Sequence, residues 1–135
     1  MTNYSFIDVE VSNPDTIRRG ISWLSQASEN ETAIIMIPTF TNLEGHITTI
    51  IGTQQAKFLK KNKFIQTDHN TTIHLATNNS MTHRNDNVRM LAVYQRSSML
   101  DKIESEYHNI SSILVIPWIR NDINEWKKTR RAKEY

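Results

Sequence analysis

Four short apolar runs, each followed at once by a polar stretch, constrain the fold of this chain more than any other feature. The runs occupy residues 33–37, 73–76, 90–94 and 113–116. A strand that is apolar on both faces must be covered on both faces, which is typical of a parallel sheet inside an α/β sandwich. The four runs therefore predict a sheet with helices packed against each side.

The length and composition indicate one domain, residues 1–135. A chain of 135 residues has the size of a single domain. It contains no cysteine, which excludes disulfides, thiolate metal sites and cysteine nucleophiles. No apolar run approaches the ~20 residues of a membrane span, and the N-terminus lacks the basic start and apolar stretch of a signal peptide. We therefore expect a cytoplasmic domain that makes no membrane contact.

A further strand is predicted near the N-terminus, at an edge of the sheet. In residues 6–11 the apolar side chains at 7, 9 and 11 alternate with Asp8 and Glu10. Such alternation is typical of a strand with one solvent-exposed face. We expect this edge strand to be the surface through which a second copy or a partner protein would add.

The first two helices have recognisable start signals. Asn13 can cap a helix that begins at Pro14, where proline suits the first helical position. The capping-box spacing of Thr41 and Glu44 predicts a second helix that runs to about Lys63. This second helix contains two glycines, at positions 45 and 52, which suggests close packing or a ligand near the backbone.

The predicted element order is β-α-β-α-β-β-α-β-α. It describes a small Rossmann-like three-layer sandwich of about five strands, mostly parallel. A third helix is expected to begin at Ser97 or Ser98, and a last one to run from about Asn121 to Ala132. Residues 77–87 have no helical period, so either strands 73–76 and 89–94 are antiparallel or a long extended loop joins them.

The polar segments that leave the strands are the best candidates for a binding site. Ligands of open parallel sheets bind in the crevice at the carboxyl ends of the strands. The helix openings near Asn42 and at Ser97–Ser98 offer free amides and a positive dipole end for an anion. The ligand-binding residues that we predict are Thr39, Thr41, Asn42, Asn78, His83, Arg84, Arg96 and Arg120.

Two further features could contribute to nucleic-acid binding. Trp118 with Arg120 could stack a base and bind a phosphate, although the tryptophan could equally be a packing anchor. The net charge is only +2, but residues 1–50 carry two basic and six acidic side chains while residues 119–135 carry six and three. The basic residues at the C-terminus would add a sequence-independent attraction to a polyanion, and they are Lys127, Lys128, Arg130 and Arg131.

No catalytic motif stands out. The chain has three glycines, none of them clustered, so it lacks both the Walker lysine loop and the dinucleotide fingerprint. Its five histidines form no HExxH or HxH pair. We therefore predict no catalytic residue, metal ligand or cofactor.

Three functions remain open on these observations. The first is a non-catalytic domain that binds a nucleotide or a nucleic-acid backbone in the strand-end crevice. The second is a protein–protein module, an accessory subunit of a larger complex that pairs through residues 6–11. The third is a phosphoester hydrolase or nuclease, which would need four acid and histidine side chains to converge: Asp68, His69, His83 and Asp86.

Overall fold

The computed structural model describes residues 2–67, 70–82 and 85–135. It is an α/β protein with a single seven-stranded sheet. The strands are β1 (Asn3–Phe6), β2 (Thr32–Ile37), β3 (Phe64–Gln66), β4 (Thr72–Thr77), β5 (Val88–Val93), β6 (Ile110–Ile116) and β7 (Lys133–Glu134). The helices are α1 (Pro14–Leu24), α2 (His46–Ile51), α3 (Thr53–Asn62), α4 (Ser97–Glu106) and α5 (Asn124–Arg130), with 3₁₀ turns at Phe40–Leu43 and Arg120–Ile123.

The strand order is β3-β4-β2-β5-β6-β1-β7, and every pair except β3–β4 is parallel. The four predicted apolar runs form the central strands β4, β2, β5 and β6. Their register places Leu75, Ile35, Leu91 and Leu114 side by side across the sheet. The predicted α/β sandwich is therefore confirmed, although it has seven strands rather than about five.

The two faces of the sheet bury separate cores, as expected for strands that are apolar on both sides. On the front face, covered by α1, α2 and α3, side chains such as Ile35 and Leu91 pack with Ile17, Leu24 and Ile47. On the back face, covered by α4 and α5, strand residues such as Ile34 and Met90 pack with helix residues that include Ile103 and Trp126.

Gly20 sets how closely α1 approaches the front face. A Cβ atom at this position would lie 2.7 Å from Ile116 Cδ1 and 2.8 Å from Leu91 Cδ1. The helix therefore lies directly over β5 and β6. The predicted cap is present as well, because the Thr16 N–H donates to Asn13 Oδ1 at 3.1 Å.

The prediction of an edge strand at residues 6–11 is wrong. β1 ends at Phe6, and it lies between β6 and the two-residue strand β7, which forms that edge of the sheet. Ile7 still donates to the Val115 carbonyl at 3.0 Å and is buried, but the chain then leaves the sheet. Val11 is exposed and bridges Ile119 in antiparallel fashion. The alternating pattern spans a strand end and a separate bridge, so the surface expected for a partner chain is absent.

The second predicted helix is broken at both of its glycines. Gly45 and Gly52 have φ angles of 84° and 91°, which divide the segment into a 3₁₀ turn, α2 and α3. A Cβ atom at either glycine would meet nothing within 4 Å. These glycines therefore supply backbone with positive φ rather than close packing within the chain.

Of the two alternatives predicted for strands 73–76 and 89–94, the antiparallel one is excluded. Both strands are parallel to β2 and lie on its two sides. The described parts of this connection, 78–82 and 85–87, contain no helix. The last predicted helix begins as a 3₁₀ turn and ends earlier than expected, at Arg130. In the described residues, no helix is long and apolar enough to cross a bilayer.

Candidate ligand site at the carboxyl edge

The ends of five parallel strands meet at one border of the sheet, which we call the carboxyl edge. It comprises residues 7–10, 38–42, 78–79, 94–96 and 117–120, which follow β1, β2, β4, β5 and β6. The chain that leaves β2 crosses the front face, whereas the chain that leaves its neighbour β5 crosses the back face. This reversal between adjacent strands is the position at which open α/β sheets bind ligands.

Gln95 lies at this switch point and is almost completely buried, with 1% of its surface exposed. Its Nε2 donates to Asn78 Oδ1 at 2.9 Å. Because Gln95 follows β5 and Asn78 follows β4, this bond spans the end of β2. The other amide atom, Gln95 Oε1, has no hydrogen-bond partner among the described residues. An unpartnered buried acceptor costs about 1–3 kcal/mol, and a local movement that brought Oε1 to the crevice would allow a ligand donor to relieve that cost.

The N-terminus of α4 opens onto the same crevice. Arg96 is the N-cap residue, and no side chain caps the helix. The Met99 and Leu100 N–H groups bond to the Arg96 carbonyl. The N–H groups of Ser97 and Ser98 precede them at the start of the helix. The exposed Arg96 guanidinium has no partner within the described residues. A free guanidinium beside open helix amides is a favourable arrangement for a phosphate or carboxylate.

An aromatic ledge, formed by His46, Tyr94 and Trp118, lies beside this crevice. The Tyr94 ring meets Trp118 edge to face, with centroids 4.8 Å apart and an interplanar angle of 86°. The His46 ring lies 6.2 Å from Trp118 at an angle of 23°. Trp118 is 45% exposed, whereas Trp23 and Trp126 are buried. Trp118 is therefore a surface residue that two rings hold in place, and not part of the core.

Tyr94 reaches the ledge through a strained backbone. Its φ angle is 62°, a left-handed conformation that is unfavourable for a bulky residue. Val93 already faces the front core, so regular alternation would send Tyr94 to the back face; the left-handed turn keeps it at the front. Burial raises the pKa of the Tyr94 hydroxyl, and a hydrogen bond with Ser12 opposes this in part. The ledge therefore presents a neutral phenol at neutral pH.

Three of the predicted ligand residues form hydrogen bonds with one another. Thr39 donates from its N–H and from its hydroxyl to Asn42 Oδ1, at 2.9 and 3.1 Å. The Thr39 and Thr41 hydroxyls are 2.9 Å apart. These side chains cap a single 3₁₀ turn rather than the start of a long helix. The expected capping box of Thr41 and Glu44 is therefore wrong, because Thr39 and Asn42 form the cap instead.

Arg120 also lies at the carboxyl edge, but two carboxylates already balance its charge. Its Nε is 2.9 Å from Asp8 Oδ1, and its Nη1 is 4.0 Å from Glu10 Oε1. The Arg120 N–H donates to the Glu10 carbonyl at 3.0 Å, and the Ser12 N–H donates to the Trp118 carbonyl at the same distance. These contacts fix the backbone on both sides of Ile119, directly after Trp118, so Arg120 helps to position the ledge.

The four basic residues of the C-terminus lie on α5 or directly after it, away from the crevice. α5 starts beyond the carboxyl edge and leads back to β7, which is parallel to β1. Arg130 pairs with Glu104 at 3.0 Å and with Asp101 at 3.2 Å, and the hydrogen bonds with Glu104 raise its pKa. Lys127 Nζ lies 4.7 Å from the centre of the Phe6 ring. Of these four side chains, those of Lys128 and Arg131 have no partner among the described residues.

Some predicted residues lie outside the described parts of the chain. They include two of the ligand residues, His83 and Arg84, and the two hydrolase candidates Asp68 and His69. Asp86 is described; it accepts a hydrogen bond from Thr32 at 3.2 Å, next to the starts of β2 and β5. Within the described residues, no group of three acidic or histidine side chains could hold a metal ion.

A cleft of about 260 Å³ adjoins the switch point on the back face. It is lined by Asn78, Asn79 and Met81 from the β4–β5 connection and by Lys102 and Glu106 from α4. Asn78 therefore both accepts the hydrogen bond from the buried Gln95 and lines this cleft. Known small-molecule sites are commonly somewhat larger, about 300–1,000 Å³, so the cleft would hold only part of a ligand.

The sequence did not identify Gln95, His46 or Tyr94 as site residues. Gln95 is one polar residue among many after a strand, and nothing in the sequence indicates that it is buried. Tyr94 reaches Trp118 through a left-handed backbone that the sequence does not indicate, since the residue is neither glycine nor asparagine, and His46 comes from the start of α2. A possible signal was the length of the apolar run 90–94, since its last residue is aromatic and directly precedes polar residues.

Comparisons with protein-family models, with curated proteins and with solved structures gave no significant match. The function must therefore be inferred from the geometry of the carboxyl edge.

Proposed function

We propose that the protein is a non-catalytic binding domain for a phosphate ester, that of a nucleotide or of a nucleic-acid backbone, held in the crevice between the ends of β2 and β5. One observation carries this proposal, the buried Gln95 with its unpartnered Oε1 at the switch point. A ligand hydroxyl or N–H would satisfy this acceptor. The phosphate would lie against the amides of Ser97 and Ser98 and the Arg96 guanidinium.

The choice of an anionic ligand follows from the groups that are free. Arg96 is exposed and unpaired within the described residues, and it stands at the positive end of a ten-residue helix. The other predicted contacts are less available to a phosphate, because they already have partners. Thr39, Thr41 and Asn42 bond to one another, and Arg120 is paired with Asp8. Asn78 supports the site by holding the Gln95 amide.

Thermal unfolding in the presence of three probes tests the proposal. The probes are adenosine 5′-monophosphate (AMP), inorganic pyrophosphate and an octamer of deoxyadenosine. A ligand that binds only the folded state raises the Tm by mass action. We expect at least one probe to raise it, and we expect Arg96→Ala to reduce the shift by at least half. The charge-matched control is Lys61→Ala, which removes an exposed lysine on α3 and should leave the shift unchanged.

The same experiment separates the two phosphate sources. Binding of the octamer that weakens steeply with salt, and weakens further in a Lys128→Ala/Arg131→Ala variant, would assign a nucleic-acid backbone. Equal or tighter binding of AMP, indifferent to those two substitutions, would assign a nucleotide. The absence of any Tm shift with all three probes at low salt, or equal shifts for Arg96→Ala and wild type, would disprove the proposed function.

A further inference from the structure

The aromatic ledge suggests what the phosphate is attached to. We propose that Trp118, held by Tyr94 and His46, stacks the base of a nucleotide whose phosphate lies at the N-terminus of α4. This inference rests on the proposed function and adds the chemical class of the ligand. The ligand would carry a flat aromatic ring, and would not be a simple sugar phosphate or inorganic anion.

The first support is that the indole is exposed and yet fixed. Trp118 follows Pro117, whose ring restricts the backbone, and on its carboxyl side the Trp118 carbonyl and the Arg120 N–H bond to Ser12 and Glu10. Tyr94 meets its ring at 4.8 Å and His46 at 6.2 Å, both within the range of favourable aromatic pairs. An exposed ring that is already ordered loses little freedom when it stacks on a base.

The second support is the proximity of the ledge to the phosphate site. Tyr94 and Arg96 are two residues apart, so their Cα atoms are separated by about 7 Å at most. Gln95 lies between them, with its free acceptor buried at the switch point. Trp118 packs on Tyr94, so the stacking ring lies one ring contact away from the residues that carry the acceptor and the cation.

The third support is the strained backbone of Tyr94. A tyrosine at a φ of 62° is costly, and such outliers persist where the surrounding structure enforces them. Here the strain places the phenol ring against Trp118. The outlier thus places Tyr94 in the ledge while the residue also packs against the front core.

Fluorescence titration with AMP, adenosine and ribose 5-phosphate tests the inference. Trp23 and Trp126 are buried, so quenching by a stacked base should come from Trp118. We expect AMP to quench the emission and ribose 5-phosphate to bind more weakly without quenching. Trp118→Ala should weaken AMP binding roughly tenfold or more, since base stacking contributes on that scale. Trp118→Phe should restore part of the affinity in calorimetry while abolishing the quenching.

The matched control is Phe58→Ala. Phe58 is exposed to the same extent as Trp118, 45%, and lies on α3 near the β3 edge. Its removal should leave AMP binding unchanged. If ribose 5-phosphate binds as tightly as AMP and Trp118→Ala alters neither, the ledge inference is wrong while the proposed function stands. If adenosine quenches but no phosphate compound gains affinity over it, the ledge holds and the phosphate site fails.

The exposed Val11 and Ile119 beside Trp118 suggest a competing use, a contact with another protein chain. Sedimentation velocity over a range of concentrations distinguishes the two uses. A self-association that Trp118→Ala abolishes, together with unchanged AMP binding, would overturn the nucleotide inference. A monomer whose AMP affinity depends on Trp118 would support it.

Discussion

The two borders of the sheet differ in whether key polar groups have interaction partners within the protein. At the amino edge, residues 28–32, 86–89 and 109–111, three of the charged side chains, Glu31, Asp86 and Arg89, are engaged within the protein. Arg89 donates twice to the Trp23 carbonyl, at 3.0 and 2.9 Å, and its guanidinium lies 3.9 Å from the centre of the Trp23 ring. Glu31 accepts from the Ser28 N–H at 3.0 Å and from the Ser111 hydroxyl.

At the carboxyl edge, comparable groups have no partner within the described residues. Gln95 Oε1 is buried without a partner, Arg96 is exposed and unpaired within the described residues, and Trp118 is 45% exposed. Both edges are rich in polar residues, so polarity alone does not identify a site. We therefore propose that the carboxyl edge, whose buried acceptor and exposed cation lack partners within the described residues, is the ligand site. Four substitutions, taken from the largest expected effect to the smallest, test this contrast.

The largest effect is expected for Arg89→Met at the amino edge. The substitution removes two hydrogen bonds to the end of α1 and a cation–π contact. We expect the free energy of unfolding in urea to fall by about 2–3 kcal/mol, with AMP binding unchanged. Arg18→Met, which removes an exposed arginine paired with Asp15, should cost less than about 0.5 kcal/mol. Equal losses for the two variants would refute the structural role of Arg89.

The second effect concerns Glu31 and pH. Burial alone would raise its pKa, but the hydrogen bonds from Ser111 and Ser28 and the charge of Arg89 together lower it below 4.5. A carboxylate with a lowered pKa stabilises the fold above its unfolded pKa, and this contribution is lost as the pH falls through the folded pKa. Glu31→Gln should therefore cost about 1 kcal/mol or less at pH 7.

Urea unfolding at several pH values between 3 and 7 checks the Glu31 prediction. The loss of stability on acidification should be smaller in Glu31→Gln than in wild type. Glu29→Gln serves as the control, since Glu29 is exposed and has no partner in the described part of the chain. A Glu31→Gln profile parallel to that of wild type over the acid range would contradict the prediction.

A third, smaller effect on stability is expected for Gln95→Met. The unbranched methionine fills a similar volume, removes the unpartnered acceptor and loses the bond to Asn78. The two changes oppose each other, so the free energy of unfolding should stay the same or rise by up to about 1 kcal/mol. Urea unfolding would count against a ligand role if the variant were as destabilised as Arg89→Met.

The smallest effect on stability is expected for Arg96→Ala. The side chain is exposed and unpaired within the described residues, so the free energy of unfolding should change by less than about 0.5 kcal/mol. AMP affinity, in contrast, should fall about tenfold, because a charge-assisted hydrogen bond to phosphate is lost. Calorimetric titration at low salt measures this loss. A destabilised variant with normal affinity would place Arg96 among the structural residues.

The sequence predicted the central sheet because the signal is local and repeated. The runs at 33–37 and 113–116 are apolar at every position and too short for a buried helix, which favours strands of a sheet covered on both faces. The cap at Asn13 was equally local and is present. The common border of the strand exits followed from parallel pairing, and Asn78 and Arg96 do lie there.

The errors arose where tertiary contacts decided the outcome. The alternation of residues 6–11 continues past the end of β1 into a bridge between Val11 and Ile119, and no local pattern distinguishes the two. β7 has only two residues, so it carries no periodicity of its own. The burial of Gln95 depends on the bond to Asn78 across the end of β2, which requires the strand order to be known.

The central claim is that the polar groups of the carboxyl edge are reserved for a ligand, and Gln95→Met tests it most directly. Thermal unfolding of wild type and of this variant is measured with and without AMP. We predict that the variant is at least as stable as wild type without AMP and shows no rise in Tm when AMP is added. A variant that is less stable alone, yet gains as much from AMP as wild type, would contradict the claim.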